Sequence, residues 1–237
     1  MPIDPAHVRD ERRLAIGLAL IAGYVDGFGL LTLGTYLSFM SGNTTQSGAD
    51  GGQGLIAGAL PPATAILFFV IGVFCGTLLR LRFPGRWTRS IVLVAVGVLL
   101  GVAALGTHLE LLPPLASIAG ICVAMGVMNT TLSQVGHEPL NLTFVTGTLN
   151  HLGAHAALAA AHAPLKDPEG PLDSHFRRAL RLGAVWVSFL GGAIVAGVSV
   201  ARLGGLALLP PAALLILLAL LSRPPRCRAA GGGSGTR

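Results

Sequence analysis

One carboxylate, Asp26, stands inside an otherwise apolar run, in Gly23-Tyr24-Val25-Asp26-Gly27. It lies about a dozen residues past Arg13, a rise of roughly 18 Å along a helix. An Asp at the centre of a membrane helix costs about 2.5–3.5 kcal/mol on the insertion scale, so a partner must offset it. Two chemistries suit such a residue. It can bind a proton or a cation, or it can act as a structural acceptor hydrogen-bonded to Asn129 or to the end of a broken helix. Ser41-Gly42-Asn43-Thr44-Thr45 and Thr146-Gly147-Thr148 supply hydroxyls, amides and a backbone able to turn. Where such a stretch opens a helix, its free N–H groups attract an anion. The plainer alternative is an N-cap, in which the hydroxyl satisfies the helix's own N–H groups. Asn43-Thr44-Thr45 also fits a glycosylation sequon, a reading that is set aside.

His151 and His155, four residues apart, share one helix face. That spacing can hold a metal, but no third ligand is placed to help, so a partly hydrated pair or a role in proton transfer is the reading and no metal is expected. The residues expected to bind a substrate or ion are Asp26, Tyr24, Ser41, Asn43, Thr44, Asn129, Thr146, Thr148 and Asn150. No nucleophile with a matching base and no phosphate loop occurs, so neither an enzyme nor a cofactor is expected.

The elements that must position these groups are membrane helices. Hydrophobic residues make up 52% of the 237 positions and charged ones 11%, and the mean hydropathy is +0.72. A soluble domain carries charge at about a quarter of its positions. The net charge of +6 does not signal nucleic acid, because the cations cluster at the ends of apolar runs without interleaved aromatics. Cys75, Cys122 and Cys227 show no pairing or metal-ligand spacing. Windows of about twenty apolar residues place spans near 14–39, 63–79, 90–107, 114–134, 182–201 and 204–221. The first is too long for a signal peptide and reads as a retained helix. The stretch 141–161 is apolar but carries Thr146, Asn150, His151 and His155, and reads as re-entrant or interfacial.

Six spans with both termini cytoplasmic put every Lys and Arg except Arg202 on the cytoplasmic side, as the positive-inside rule requires. Trp87 then serves as an interfacial anchor, and the Gly- and Ser-rich tail, 223–237, is expected to be disordered. Gly23/Gly27, Gly72/Gly76 and Gly97/Gly101 are small residues four apart, which suits close helix packing.

Two stretches about a hundred residues apart read alike. Gly23-Tyr24-Val25-Asp26-Gly27 leads to Ser41-Gly42-Asn43-Thr44; Met125-Gly126-Val127-Met128-Asn129-Thr130 leads to Thr146-Gly147-Thr148-Leu149-Asn150. With two residues inserted in the second copy, Asp26 corresponds to Asn129 and Ser41-Gly42 to Thr146-Gly147. The expected fold is therefore all-α and integral to the membrane, about six transmembrane helices forming two inverted three-helix repeats, 1–113 and 114–222, each with an interrupted first helix. An odd number of spans per repeat inverts the second copy, a plan of secondary transporters whose sites lie near the midplane.

In GYVDGFGLLTLG with MSGNTT (Gly23 to Thr45), and AMGVMNTTL with LTFVTGTLNHLG (Ala124 to Gly153), the chain resembles the YoaK family, a bacterial group of six-span membrane proteins classed as a domain of unknown function. Ser41 replaces the family's usual Thr and keeps the hydroxyl, while Asp50 to Ala59 looks shortened and Gly-rich. The resemblance covers most of the chain and implies a six-helix fold in the bacterial inner membrane. It supplies no substrate.

The expected function is transport of a small molecule or ion through a midplane site between the repeats, with proton coupling through Asp26 as a secondary reading. The rivals are a non-transporting scaffold or accessory subunit, and a lipid- or quinone-acting enzyme using His151, His155 and Asp26. The expected partners are the lipid bilayer and the transported solute, with no nucleic acid and with self-association left open.

Overall fold

A computed structural model describes residues 5–83, 88–131, 134–135, 138–139, 145–165, 168 and 172–221. Among these the chain is helical except for turns and a two-residue antiparallel ladder, Gln134–Val135 against Glu138–Pro139. The helices are α1 (Pro5–Leu33), α2 (Met40–Gly52), α3 (Ile56–Arg82), α4 (Thr88–His108), α5 (Pro114–Asn129), α6 (Val145–Ala160), α7 (His175–Leu203) and α8 (Leu209–Leu221). Trp87, the tail 223–237 and Lys166 among the expected cytoplasmic cations lie outside the described residues.

Local chemistry sets the breaks. α1 stops at Leu33 because Gly34 takes φ +67, a conformation that costs other residues a steric penalty. The span expected over 14–39 is therefore a helix only to Leu33, followed by a turn through residues 34–39. Gly54, at φ +75, turns α2 back into α3, and the Ser47 hydroxyl donates to Ala59 O across that hairpin at 3.2 Å. The Gly-rich stretch that looked shortened thus holds the end of α2, a tight turn and the start of α3. α5 opens on Pro114, whose fixed φ and missing N–H suit a first helical position. It ends at Asn129, short of the expected 134. Ser174 caps α7 by accepting from Arg177 N at 3.3 Å. At its far end Gly204, at φ +53, leads through a 3-10 turn, Gly204–Leu208, into α8.

Four stretches among the described residues are long and apolar enough to cross a membrane: Asp10–Leu33, Ile56–Arg82, Thr88–His108 and His175–Leu221. The last of these contains α7, the 3-10 turn and α8. The apolar helix α5 has 16 residues, about 24 Å at helical rise, which is shorter than a typical hydrocarbon core. Large apolar side chains such as Leu67, Val70, Phe74, Val102, Val187 and Ile194 point outward. That surface needs hydrocarbon around it.

Packing crosses the chain. α1 lies against α7, α3 against α5 and α4 against α8, while α2 packs on α3 and α6 on α7. Leu18, Ile21, Val25 and Phe28 of α1 join Leu93 and Leu100 of α4, Ile121 and Met125 of α5, and Leu215 of α8 in the buried core. At two crossings the backbones nearly touch. A methyl group added at Gly23 would overlap Phe189 O, and one at Gly192 would overlap Leu20 O. On the other pair, a methyl at Gly126 would overlap Phe69 O, and one at Gly72 would overlap Val123 O. Gly97 similarly faces α8, 3.0 Å from Ala212 O at its notional Cβ, whereas Gly101 faces open space. Of the glycine pairs singled out by spacing, all members except Gly101 are at helix contacts.

Candidate functional site

Asp26 is 4% exposed and its carboxylate is held by four donors. Its Oδ1 accepts from Leu37 N at 2.9 Å, Ser38 N at 2.7 Å and Phe39 N at 3.2 Å, and its Oδ2 accepts from the Ser38 hydroxyl at 2.7 Å. These amides lie at the entry to α2, where a helix leaves N–H groups without intrahelical partners. Phe39, the residue at the N-cap position, has no side chain able to cap. Asp26 therefore reaches from α1 and does the capping that the local sequence cannot, with charge-assisted bonds favoured further by the positive end of the α2 dipole. Of the two chemistries open for Asp26, the geometry displays the bond to a broken helix end.

Asn43 locks the same turn from the other side. Its Oδ1 accepts from the Thr35 hydroxyl at 3.0 Å and from Tyr36 N at 3.1 Å, and its Nδ2 donates to Tyr36 O at 2.7 Å. The Cys122 thiol of α5 donates to Leu37 O at 3.5 Å. Asp26, Asn43 and the turn thus form one buried polar cluster among α1, α2 and α5.

The remaining expected residues lie elsewhere on α1, α2, α5 and α6. Ser41 and Thr44 lie on the exposed side of α2 with Thr45; the Thr44 hydroxyl donates to Met40 O at 2.8 Å and that of Thr45 to Ser41 O at 3.1 Å. Tyr24 is buried, and its hydroxyl donates to Ala207 O in the 3-10 turn at 2.5 Å, tying α1 to the α7–α8 junction. Asn129 ends α5 with a buried Oδ1 that has no hydrogen-bond partner among the described residues. Just beyond it, the Arg80 guanidinium donates to Thr130 O, placing a cation at the negative end of α5. Thr146 and Thr148 fall in the first turn of α6; Thr146, Asn150 and His151 are exposed and Thr148 is half-buried.

His155 meets a histidine of another helix. Its Nδ1 lies 2.8 Å from Nδ1 of His175 at the start of α7, so one ring donates and the other accepts. Beside it, Asp173 accepts from Arg178 at 2.8 Å and Arg181 at 3.2 Å. Among the described residues no group of three His, Cys, Asp or Glu could hold a metal ion.

Sequence reasoning missed Thr35, Leu37, Ser38, Phe39 and His175. A signal for the turn was present: Leu37-Ser38-Phe39-Met40-Ser41-Gly42 recurs as Leu142-Thr143-Phe144-Val145-Thr146-Gly147, extending the internal match up to the helix entry.

The model of the family described as Protein of unknown function (DUF1275) matches residues 14–221, nearly the whole of the apolar chain. The chain belongs to the DUF1275 family. It is 32% identical over 223 residues to the UPF0700 transmembrane protein RA0705 of Rhizobium meliloti (strain 1021), covering 91% of each chain. It is 29% identical over 141 residues to the UPF0700 transmembrane protein YoaK of Bacillus subtilis (strain 168), covering 57% of this chain and 62% of that one. No solved structure matches it. The resemblance to YoaK is thus a family relation, and with its apolar helices this DUF1275 chain is an integral membrane protein. The family match runs to the end of α8, so Asp26, the α2 entry and both glycine crossings lie inside the DUF1275 region.

Proposed function

We propose that this DUF1275 protein is a carrier for a small polar or ionic solute, built from two repeats of opposite orientation, with the polar helices α2 and α6 beside its path. One observation carries the reading. Beside long helices that expose mainly Leu, Ile, Val and Phe, α2 exposes Ser41, Thr44 and Thr45, and α6 exposes Thr146, Asn150 and His151. Asp26 is seven residues, about 10 Å, before the end of α1. α2 therefore starts within the layer that α1 crosses, and irregular backbone at that depth is tolerated where protein or a water-filled path covers it.

The packing supports the repeat. Gly23 and Gly126 each stand three residues before the matched Asp26 and Asn129, and each meets the carbonyl of a Phe that itself precedes a glycine by three residues, Phe189 before Gly192 and Phe69 before Gly72. The element order supports it too, since α1, α2, α3 and α4 correspond in turn to α5, α6, α7 and α8.

Our reading places the protein in the bacterial inner membrane with both termini cytoplasmic. The Glu11–Arg89 ion pair, 3.2 Å, sets the beginnings of α1 and α4 side by side, as that orientation requires. The scaffold reading keeps one observation in its favour. Asp26 is fully engaged by protein donors, and the Thr44 and Thr45 hydroxyls bond to their own helix.

The test is a thermal-stability screen of the purified protein against metabolites, ions and lipids at two pH values, with Asn150→Ala and Thr44→Val alongside. A solute that binds only the folded state adds about 2.7 kcal/mol at a hundredfold excess over its Kd. We expect a stabilising class of polar or ionic solute whose effect shrinks in both variants. Stabilisation by lipids alone, equal in all three proteins, would move the reading to the scaffold.

A further inference from the structure

We propose that the bodies that move against each other in this protein are not its two sequence halves but two units that each borrow a helix from the opposite half. One is α1 with α6 and α7; the other is α5 with α2 and α3. The Asp26 carboxylate ties them together. This deepens the carrier reading and rests on it.

The argument starts from the crossings. α1 meets α7, and α5 meets α3, at points where a glycine on each helix leaves no room for a methyl against the other's backbone. Beyond these points the fit continues, with Gly27 against Ala196 and Gly76 against Thr130. Backbones in such contact, with no lipid or water between them, lose dispersion contacts outright if they separate, because interiors are close-packed and a small gap forfeits much of the attraction. Each crossing therefore behaves as one rigid piece. Each crossing also joins residues from the two sequence halves, so a motion of residues 1–113 against 114–222 would have to tear both apart.

The short polar helices follow their neighbours, α2 packing on α3 and α6 on α7. Between the units, α1 and α5 share part of the apolar core, which can slide, and the polar link added to it is of another kind. Asp26, on α1, belongs to the first unit. The amides of Leu37, Ser38 and Phe39 lead into α2 of the second, and Leu37 O is also held by Cys122 of α5. A few hydrogen bonds to one carboxylate can break and re-form as a set, which a two-state interface needs.

The experiment is pulsed electron-paramagnetic distance measurement on the full chain in lipid nanodiscs, with Cys75→Ala, Cys122→Ser and Cys227→Ser removing the native thiols while a hydroxyl keeps the donor to Leu37 O. Spin labels go on outward-facing positions. Leu31→Cys with Val198→Cys reports α1–α7, Leu67→Cys with Leu115→Cys reports α3–α5, and Leu31→Cys with Leu67→Cys reports α1–α3. Each pair is measured with Asp26 intact, with Asp26→Asn, and with Ser38→Ala as a milder loosening that keeps the carboxylate. The α1–α3 distance is expected to gain a second population several ångström away when the tie is weakened, while the other two stay single. A fixed α1–α3 distance with a shifting α1–α7 distance would overturn the assignment of units and leave the carrier reading standing. Three fixed distances in every variant would remove the relative motion itself, and with it the carrier reading.

Discussion

Asp26→Ala is expected to lower the unfolding free energy by about 4 kcal/mol, measured by denaturation in mixed micelles. The figure comes from what the carboxylate leaves behind. Three backbone amides and one hydroxyl converge on it, and the site is buried. A buried donor without a partner costs about 1–3 kcal/mol, and bonds to a charged acceptor are worth about 1.5–3 kcal/mol each. The losses do not add fully, because the turn can open and let some amides find water. Asp26→Asn keeps one oxygen in place for the amides and turns an N–H₂ towards the Ser38 hydroxyl, which can rotate to accept. Its expected cost is about 1–2 kcal/mol. A cost for the Ala variant below about 1 kcal/mol would mean that α2 does not depend on Asp26, contradicting the capping role.

The second large effect is at the crossings. Gly23→Ala and Gly126→Ala are each expected to cost about 1–3 kcal/mol, because the added methyl meets a carbonyl oxygen fixed in the facing helix and not a side chain able to rotate away. Gly101→Ala, in the same kind of apolar helix but facing open space, is expected to be neutral or to stabilise by up to about 1 kcal/mol through helix propensity. Chemical denaturation of the three variants side by side checks this. Equal behaviour at Gly23 and Gly101 would show that α1 and α7 are not in backbone contact.

Much of this architecture was legible in the sequence, and the gaps have physical causes. The long apolar helices announced themselves, because a run such as Ile91–Leu105 has no other stable environment. Asp26 was legible for the opposite reason, since a lone carboxylate in such a run has to be compensated. Its partners were not. The turn Gly34 to Phe39 contains no Pro and a single Gly among Thr, Tyr, Leu, Ser and Phe, so its hydropathy continues that of the helix before it. The break is made by the φ of Gly34, which is not written in hydropathy, and only the recurrence of Leu37–Gly42 at 142–147 hints at it.

The glycine pairs told that helices approach closely, but spacing on one helix names no partner. That Gly23 meets α7 and Gly126 meets α3 is a property of tertiary packing alone. The histidines show the same limit. His151 and His155 share a face by spacing, yet His155 bonds to His175, 20 residues further along the chain.

The central claim is that the polar sides of α2 and α6 meet water inside the membrane. It is tested most directly by labelling Thr44→Cys and Asn150→Cys, one at a time, in a chain carrying Cys75→Ala, Cys122→Ser and Cys227→Ser. The protein is reconstituted in sealed vesicles and treated with a small, membrane-impermeant thiol reagent added outside or loaded inside. The carrier reading predicts that both positions react, and that a stabilising solute slows the reaction. Both positions staying unreactive from either side, while the denatured protein labels fully, would show that these hydroxyl-rich helices are buried against protein or lipid. The account would then stand as one of a membrane scaffold.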